Sequence, residues 1–487
     1  MIKGVPLINR EAYVNELQSL SKKQQSQLIA LYGRRRVGKT CLVRYCFEQP
    51  EIDYMEVTGL QQGTMKQELT IFTKAMSKTF FVNAPLAVPD NWFNAFELLS
   101  TQLITPSKKL RVLFFDELPW LATRRSGLLS ALDHFWNTQW SKITNLMVIL
   151  CGSAASWMLD KIINTKGGLH NRLTKIINLK PFNLHETKQF LLAKKIRLSD
   201  KNILDIYMVM GGIPYYLEQL QSGKSVAQNI NQLCFNADGL LFTEFPRLFR
   251  SLFTLAETHL RIIKIIAQNR YGIARQQLIA KTKIPSGSNL NNHLYELIAA
   301  GFINQYTPYG YQKKETYYRV IDEYTLFYLC WIEPLLHSGH ALNENYWQIE
   351  MKTPAWRSWS GYAFESICLK HIAEIVSALK LRNVGYKASS WRYISSKKSM
   401  QQGAQIDLLL DRNDDAITLC EIKYAEQPYI LDKSTAKALL EKKDIFIKQT
   451  KTRKQVFLAL ITTFGLKVGL WNEEVIDEVV DLNSLYK

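Results

Sequence analysis

The sequence predicts an α/β protein with a parallel-sheet core near its N-terminus and a second α/β domain at its C-terminus. Up to about residue 180, short apolar runs alternate with amphipathic stretches, which is typical of a parallel sheet covered by helices. The periodicity then becomes helical, and two closely spaced apolar strands follow residue 400. Hydrophobic residues make up 47% of the chain and charged residues 21%, which excludes a disordered or fibrous protein.

Length and charge limit the classes of protein to consider. At about 150 residues per domain, 487 residues suggest roughly three domains. The 61 basic and 43 acidic residues give a net charge of +18. That charge favours an anionic partner such as nucleic acid or phosphate, but a lysine-rich solvated surface explains it equally well.

Targeting and cysteine patterns exclude two further classes. No apolar run approaches 18 residues, and residues 1–6 lack the apolar stretch of a signal peptide, so we expect a cytoplasmic protein without a membrane partner. The seven cysteines are scattered without a C-x-x-C pair. This spacing argues against a disulfide framework and against structural zinc.

Composition and periodicity divide the chain into five segments. These are a core (1–180), a helical lid (181–250), a three-helix segment with a hairpin (251–322), an aromatic connector (323–355) and a C-terminal domain (356–487). The predicted core strands are Leu28–Tyr32, Tyr54–Thr58, Val112–Phe115 and Met147–Cys151.

The strongest motif follows the first predicted strand and opens a helix. The run Gly33, Arg34, Arg35, Arg36, Val37, Gly38, Lys39, Thr40 matches G-x-x-x-x-G-K-S/T. By chance this pattern arises in only about two chains in a hundred of this length. The glycines let backbone N–H groups surround phosphates, Lys39 reaches the β- and γ-phosphates, and Thr40 contacts Mg²⁺. The motif therefore predicts a nucleotide site with ATP and Mg²⁺.

Two other strands end in residues that suit the same site. Val112–Phe115 is followed by Asp116, which we expect to help hold Mg²⁺, and by Glu117, a candidate general base toward the attacking water. Met147–Cys151 is followed by Ser153, whose hydroxyl suits a sensor of the γ-phosphate. Alone, each is an ordinary strand end; together with the phosphate loop they predict a hydrolytic nucleotide site.

These motifs, in this order, resemble the archaeal-type ATPases of the STAND group, relatives of AAA+ proteins. Leu7 to Glu11 is similar to the family's segment beside the adenine, although Asn9 stands where many relatives have glycine. The resemblance implies that Arg172, in Leu-His-Asn-Arg, contacts phosphate, and that Pro214, in Gly-Ile-Pro, belongs to a lid that senses the nucleotide.

Between residues 251 and 322, three predicted helices and a tyrosine-rich hairpin indicate a winged helix. Such a domain either reads DNA or packs between its neighbours, and the sequence slightly favours packing because no Lys or Arg occurs between Ile284 and Gln312. Candidate nucleic-acid contacts are Ser286, Ser288, Asn289, Asn291 and Asn292 in the third helix and Lys313, Lys314 and Arg319 in the hairpin.

The C-terminal strands carry a second candidate site. Asp407 lies in Ile406–Asp411, and Glu421 and Lys423 lie two apart in Ile417–Tyr424, so the latter pair shares one face of a strand. If the strands pair, both carboxylates hold a divalent metal, and Lys423 orients or deprotonates a water. The same Glu-x-Lys triplet at Glu441 is predicted to be helical and without function.

This second pattern resembles the PD-(D/E)XK nucleases, in which a helical glutamate precedes the strands. Glu365 stands at that position, so the resemblance implies metal ligation by Glu365, Asp407 and Glu421 and catalysis by Asp407, Glu421 and Lys423. Members of the ATPase family above often carry such a domain.

The sequence leaves three functions open. One is a nucleotide-dependent switch, an ATPase coupled to a metal-dependent nuclease, with DNA favoured over RNA as the substrate. The others are a winged-helix DNA-binding regulator and an ATP-driven interaction switch without nuclease activity, whose partner is another protein or a second copy of the chain.

Overall fold

The computed structural model describes the chain with short gaps. The described residues are 7–123, 125–164, 169–285, 287–311, 315–338, 345–394, 403–469 and 471–487. They form two compact units: the first runs to Pro181 and includes Ile213–Tyr215, and the second comprises Phe182–Gly212 and Tyr216–Lys487. Within these ranges, no helix combines the length and the apolar character needed to cross a bilayer.

The first unit is built on a parallel sheet with strand order β2-β3-β4-β1-β5. β3 and β4 are buried along their whole length, as expected for strands covered on both faces. The four predicted core strands are confirmed; β5 escaped prediction because it is short and half-exposed. The strands are β1 (Gln27–Tyr32), β2 (Asp53–Thr58), β3 (Arg111–Asp116), β4 (Leu146–Gly152) and β5 (Lys175–Asn178).

Helices cover this sheet and bury aromatic side chains against it. The buried Trp140 donates its indole N–H to Ser100 Oγ (2.8 Å), so its one polar atom is satisfied inside the core. The α-helices are Glu11–Ser21, Lys39–Phe47, Met65–Phe80, Trp92–Ile104, Leu118–Leu121, Leu128–Thr138 and Ala155–Met158, with a π-turn at Leu159–Ile163 and 3₁₀ turns at Trp140–Lys142 and His170–Arg172.

The predicted helical segment follows. Gly211 ends one helix in a left-handed conformation (φ 61°), and Pro214 begins the next, where a missing N–H costs nothing. The helices here are Leu184–Ala193, Asp200–Met210, Pro214–Leu217, Val226–Cys234 and Glu244–Leu252.

Residues 256–320 form three helices around a small antiparallel sheet of order β6-β8-β7. The helices are Ala256–Ala267, Arg275–Thr282 and Ser288–Ala299, in the segment where the sequence predicts three helices. The strands are β6 (Ile273–Ala274), β7 (Ile303–Tyr306) and β8 (Tyr317–Val320).

The aromatic connector is a packed element. Trp347 stacks on Phe235 with ring centroids 4.9 Å apart and meets Trp356 edge to face at 5.2 Å. Both tryptophans are buried, so the connector is part of the second unit's core. Its helical turns are Glu323–Phe327, Tyr328–Ile332 (a π-turn), Glu333–Ser338 and Tyr346–Glu350.

The C-terminal part is a mixed sheet of order β13-β12-β11-β10-β9. β9, β10 and β11 are antiparallel, whereas helix Lys433–Thr450 crosses over so that β12 runs parallel to β11. The strands are β9 (Tyr386–Tyr393), β10 (Ala404–Arg412), β11 (Ala416–Lys423), β12 (Gln455–Thr462) and β13 (Glu478–Val480). The remaining helices are Pro354–Cys368, Ile372–Ala378, Asn472–Val475 and the 3₁₀ turn Leu482–Tyr486.

Candidate functional site

The phosphate loop depends on two glycines for different reasons. Gly33 has φ 150°, and a Cβ there would lie 2.2 Å from the carbonyl oxygen of Leu179. Gly38 has φ 96° and forms the N-cap of helix Lys39–Phe47. This left-handed turn leads the loop into the first turn of the helix, whose free N–H groups suit an anion.

Lys39 lies at the centre of this loop and is only 5% exposed. Its Nζ donates to the carbonyl oxygens of Gly33 (3.0 Å) and Arg34 (3.1 Å) and to Ser153 Oγ (2.9 Å). The predicted lysine and the predicted sensor serine are therefore in direct contact, because β1 and β4 are neighbours in the sheet.

The acids predicted on β3 also reach the loop. Thr40 Oγ1 donates to Asp116 Oδ2 (2.7 Å), and Asp116 Oδ1 accepts from the backbone N–H of Glu117 (3.0 Å). A threonine hydroxyl beside a carboxylate supplies the hard oxygen donors that Mg²⁺ prefers. These residues fit a magnesium ion.

Glu117 has a left-handed backbone (φ 47°), which is uncommon for a residue with a side chain. Its carboxylate accepts from Ser153 Oγ (2.6 Å) and from the Ser153 N–H (3.1 Å). Ser153 therefore contacts both Glu117, the predicted base, and Lys39. The three side chains lie together at one edge of the sheet.

Two contacts around the loop were not predicted. Arg10 is buried, and its Nη2 donates to the carbonyl oxygens of Lys180 (2.8 Å) and Val37 (3.4 Å). The guanidinium of Arg36 lies 4.4 Å from the ring centroid of Tyr215. No local motif signals these partners, because each comes from a distant part of the sequence.

The structure shows the backbone conformation of Asn9 and the exposure of Arg172, two residues that the family resemblance singled out. Asn9 has φ 57°, a conformation in which asparagine replaces glycine at little cost, so its departure from the family pattern leaves the backbone path intact. Arg172 is exposed at the end of a 3₁₀ turn, and its predicted phosphate contact stays a prediction.

In the C-terminal sheet, Glu421 is buried between two lysines. Its carboxylate contacts Lys423 Nζ (2.7 Å) and Lys442 Nζ (2.8 and 2.9 Å). Burial pushes the pKa of Glu421 upward, but both lysines outweigh it, and its net pKa lies below the ordinary value. Burial lowers the pKa of Lys423, yet Glu421 raises it overall, which favours an orienting ammonium over a proton-abstracting amine.

Asp407 and Glu365 face the same cluster. Asp407 lies on β10 at a register irregularity and accepts from the N–H of Ile422 (3.4 Å). Burial, and next the charge of Glu421, raise the pKa of Asp407 to about 6. Burial, and next the charge of Asp407, raise the pKa of Glu365 to about 8. The structure thus brings the predicted acids together with Lys423.

Two neighbours of this cluster were missed. Lys442 comes from helix Lys433–Thr450, and Gln405 Nε2 donates to Asp407 Oδ1 (3.3 Å). Lys442 lies in the triplet Glu441-Lys442-Lys443, and no sequence signal distinguishes it from the charged residues on either side.

A pocket in the second unit opens beside Glu365 and Asp407. Arginine and tyrosine side chains line it; they come from the hairpin, from the segment between helix Ala256–Ala267 and β6, from helix Pro354–Cys368 and from β9. Among them are Arg270, Tyr306, Tyr317, Arg319, Tyr362 and Arg392.

The three-helix segment presents an exposed polar row and a packed hairpin. Ser288, Asn289, Asn291 and Asn292 are exposed, and Asn291 accepts from Arg275 Nη2 (2.5 Å), a cation that the local sequence did not suggest. In the hairpin, the N–H of Tyr309 donates to the carbonyl of Ser390 on β9 (2.8 Å). The predicted contacts Ser286, Lys313 and Lys314 lie outside the described residues.

The comparisons with known proteins agree with the loop geometry. Residues 7–220 match the family profile described as an ATPase domain predominantly from Archaea. The match and the loop geometry together make this region a P-loop ATPase domain, similar to those of the archaeal type. An uncharacterized protein from Methanocaldococcus jannaschii is 26% identical over 419 residues, which cover 84% of this chain and 86% of that protein. The predicted ATPase is thereby confirmed.

Solved structures show a more distant likeness. The Walker-type ATPase of Pyrococcus abyssi is 20% identical, with a TM-score of 0.47 over 66% of this chain and 96% of that one. The ORC2 protein of Aeropyrum pernix, solved as ADPNP and ADP complexes, is 14% identical, with a TM-score of 0.41 over 69% of this chain and 97% of that one.

Proposed function

We propose that this protein is an ATP-dependent switch coupled to a metal-dependent nuclease. ATP with Mg²⁺ binds at Gly33–Thr40, and the C-terminal cluster hydrolyses phosphodiester bonds in nucleic acid, with DNA favoured over RNA. The observation that carries the proposal is the convergence of Glu365, Asp407 and Glu421 around a strand lysine in a second, separate site.

At the loop, each side chain has a distinct role in hydrolysis. Lys39 exchanges its carbonyl and hydroxyl contacts for β- and γ-phosphate oxygens. Thr40 and Asp116 would hold Mg²⁺, which neutralises phosphate charge when bound. Glu117 accepts a proton from, or orients, the attacking water, and Ser153 keeps its carboxylate aimed at the loop.

The C-terminal element order supports a nuclease-like fold. Helix Pro354–Cys368 with Glu365 precedes the antiparallel strands β9 to β11, and a crossover helix leads to the parallel β12. A helical glutamate ahead of the strands that carry the other acids is the order that the resemblance to PD-(D/E)XK nucleases implies. Acids on β10 and β11 and a helical glutamate supply oxygen ligands for Mg²⁺ or Mn²⁺.

The pocket beside these acids suits a nucleic-acid strand. The Arg319 guanidinium lies 4.7 Å from the ring centroid of Tyr306, and that of Arg270 lies 5.8 Å from the Tyr362 ring. Arginines neutralise phosphates, and tyrosine faces stack on bases, so the lining supports a single-stranded or unpaired substrate.

The decisive experiment is a cleavage assay. Plasmid and single-stranded DNA are incubated with Mn²⁺ or Mg²⁺, with and without ATP. Asp407→Asn is the test variant, because the neutral amide imitates the protonated acid that burial already favours. Glu441→Gln is the control: it also neutralises one carboxylate, in the second Glu-x-Lys triplet on helix Lys433–Thr450, where the side chain is 53% exposed.

We expect cleavage by the wild type and by Glu441→Gln, and its loss in Asp407→Asn. In Lys39→Ala, ATP should no longer change the cleavage rate. Cleavage that survives in Asp407→Asn refutes the nuclease site, and identical cleavage with and without ATP refutes the coupling.

A DNA-binding role for the three-helix segment is a second candidate. The exposed asparagine row beside Arg275 favours it, since amides and arginine contact bases and phosphates. Arg275→Ala with Asn291→Ala should then weaken DNA binding in low salt while leaving cleavage chemistry unchanged. Unaltered binding would leave the segment as a packing module.

A further inference from the structure

A second cluster of metal-ligand side chains lies inside the three-helix segment and shares no residue with either site above. His259 comes from helix Ala256–Ala267, and His293 and Glu296 come from helix Ser288–Ala299. One ligand atom of each lies within 4.8 Å of the others. We propose that these three side chains bind a zinc ion that links the two helices.

The ligand atoms form a triangle of suitable size. His259 Nε2 lies 2.6 Å from Glu296 Oε2 and 3.3 Å from His293 Nδ1, and His293 Nδ1 lies 3.7 Å from Glu296 Oε2. The circumradius of this triangle is about 1.9 Å, so an ion slightly above its plane lies about 2.0–2.1 Å from all three atoms, the distance of Zn–N and Zn–O bonds.

The tautomer of His259 is set by its other nitrogen. Nδ1 lies 2.9 Å from the carbonyl oxygen of Leu255, which only accepts, so Nδ1 carries the proton. Nε2 lies 2.6 Å from Glu296 Oε2, so a proton bridges these two atoms when no ion is bound; zinc would replace that proton and take the lone pair of Nε2. A backbone carbonyl that receives the second ring N–H is the usual support for a metal-bound histidine.

The two histidines of the site are buried, whereas the glutamate is partly exposed. His259 and His293 are buried, and Phe253 stacks on His259 with ring centroids 4.1 Å apart. The Glu296 side chain is 35% exposed and leaves the open side of the triangle toward solvent.

Helix spacing explains why two of the ligands meet. His293 and Glu296 are three residues apart and share one face of their helix. Two histidines and one carboxylate form a known zinc ligand set that leaves a fourth position for water. The absence of C-x-x-C pairs in the sequence says nothing about such a set.

The test measures zinc uptake by the full-length protein after chelator treatment. We expect one tightly bound Zn²⁺ per chain, an affinity at least about tenfold weaker in His293→Gln and in Glu296→Gln, and no change in His134→Gln. His134 is an exposed histidine that contacts Phe93 and Phe135 in the other unit. Co²⁺ substitution should give the visible absorption of a tetrahedral ion, lost in the same two variants.

Asp407→Asn separates this site from the C-terminal acids and must retain zinc. Glu296→Gln alters the most exposed ligand, so it decides the question if His293→Gln fails to fold. A wild type that takes up no zinc, or an affinity equal to wild type in Glu296→Gln, overturns the proposal and leaves a His259–Glu296 hydrogen bond that only packs the helices.

Discussion

The phosphate loop holds a buried lysine among neutral oxygen atoms, whereas the C-terminal acidic cluster holds a buried carboxylate between two lysines. The described partners of Lys39 are neutral carbonyl and hydroxyl oxygens, whereas Glu421 contacts two ammonium groups. In the loop, the lysine charge remains available to an anion. In the cluster, lysines and raised carboxyl pKa values already neutralise much of the acid charge, so a metal must displace cations or protons. The two sites should therefore respond differently to mutation and to pH.

The largest effect is expected from Glu117→Gln. ATP hydrolysis should fall by about 10²–10⁴-fold, because the amide cannot accept a proton from water, whereas ATP binding persists. Single-turnover hydrolysis and equilibrium binding of labelled ATP measure the two separately. Glu97→Gln, an exposed site on helix Trp92–Ile104, serves as the control. Equal hydrolysis by Glu117→Gln and wild type would remove the base role.

Gly33→Ala tests how far the loop depends on its backbone. The new Cβ would lie 2.2 Å from the carbonyl oxygen of Leu179, so we expect a loss of about 2–4 kcal/mol in the free energy of unfolding of the first unit. ATP binding should be lost with it.

The matched control is Gly127→Ala, which lies in the same unit, has φ 71° and no atom within 4 Å of its Cβ. Its free energy of unfolding should fall by only about 1–2 kcal/mol, the strain of a side chain in the left-handed conformation. Urea unfolding followed by fluorescence compares the two, and equal losses would contradict the clash.

The acidic cluster should bind metal more tightly as pH rises. Because the pKa values of Asp407 and Glu365 are raised to about 6 and about 8, protons compete with the metal below those values. Between pH 6 and 8 the Mn²⁺ affinity should rise by up to about tenfold per pH unit for each proton released. Titration calorimetry checks this, and a flat profile would show that protons do not compete.

The same shifts predict the sign of a stability change without metal. A raised carboxyl pKa means that the folded state binds the proton more tightly than the unfolded chain does. The stabilisation is complete below the unfolded-state pKa and is lost as pH rises toward about 8. Asp407→Asn should weaken this dependence in thermal unfolding scans; a wild-type profile that rises with pH over this range would contradict it.

The smallest effect is expected from Lys442→Met. Removing one of the two cations that contact Glu421 should raise Mn²⁺ affinity a few-fold, up to about tenfold, at pH 8.5, since the remaining charges are partly screened by solvent. Lys437→Met, on the same helix with a side chain 77% exposed, should leave the affinity unchanged. A weaker affinity in Lys442→Met would instead make Lys442 part of the metal site's support.

The features that lie within short, continuous stretches of sequence could be predicted. Gly33–Thr40 and Asp116-Glu117 occupy strand ends that a parallel sheet must align, so their meeting followed from local pattern. The strands carrying Asp407 and Glu421 were likewise visible as apolar runs, and antiparallel pairing brings them together. Strands β9, β12 and β13 were not predicted. β12 is an apolar run that its own pattern could have indicated, whereas β9 is mostly exposed and β13 has only three residues, so their neighbours in the sheet define them.

The tertiary structure alone decided which distant side chains complete each site. Lys442 meets Glu421 only because a crossover helix returns over the sheet, and Arg10 meets the loop only through the packing of the first unit. His259 lies in a different helix from His293 and Glu296, so no spacing in the sequence links the three. Local propensity and short motifs act over a few residues, whereas burial and charge pairing act between segments that are brought together only on folding.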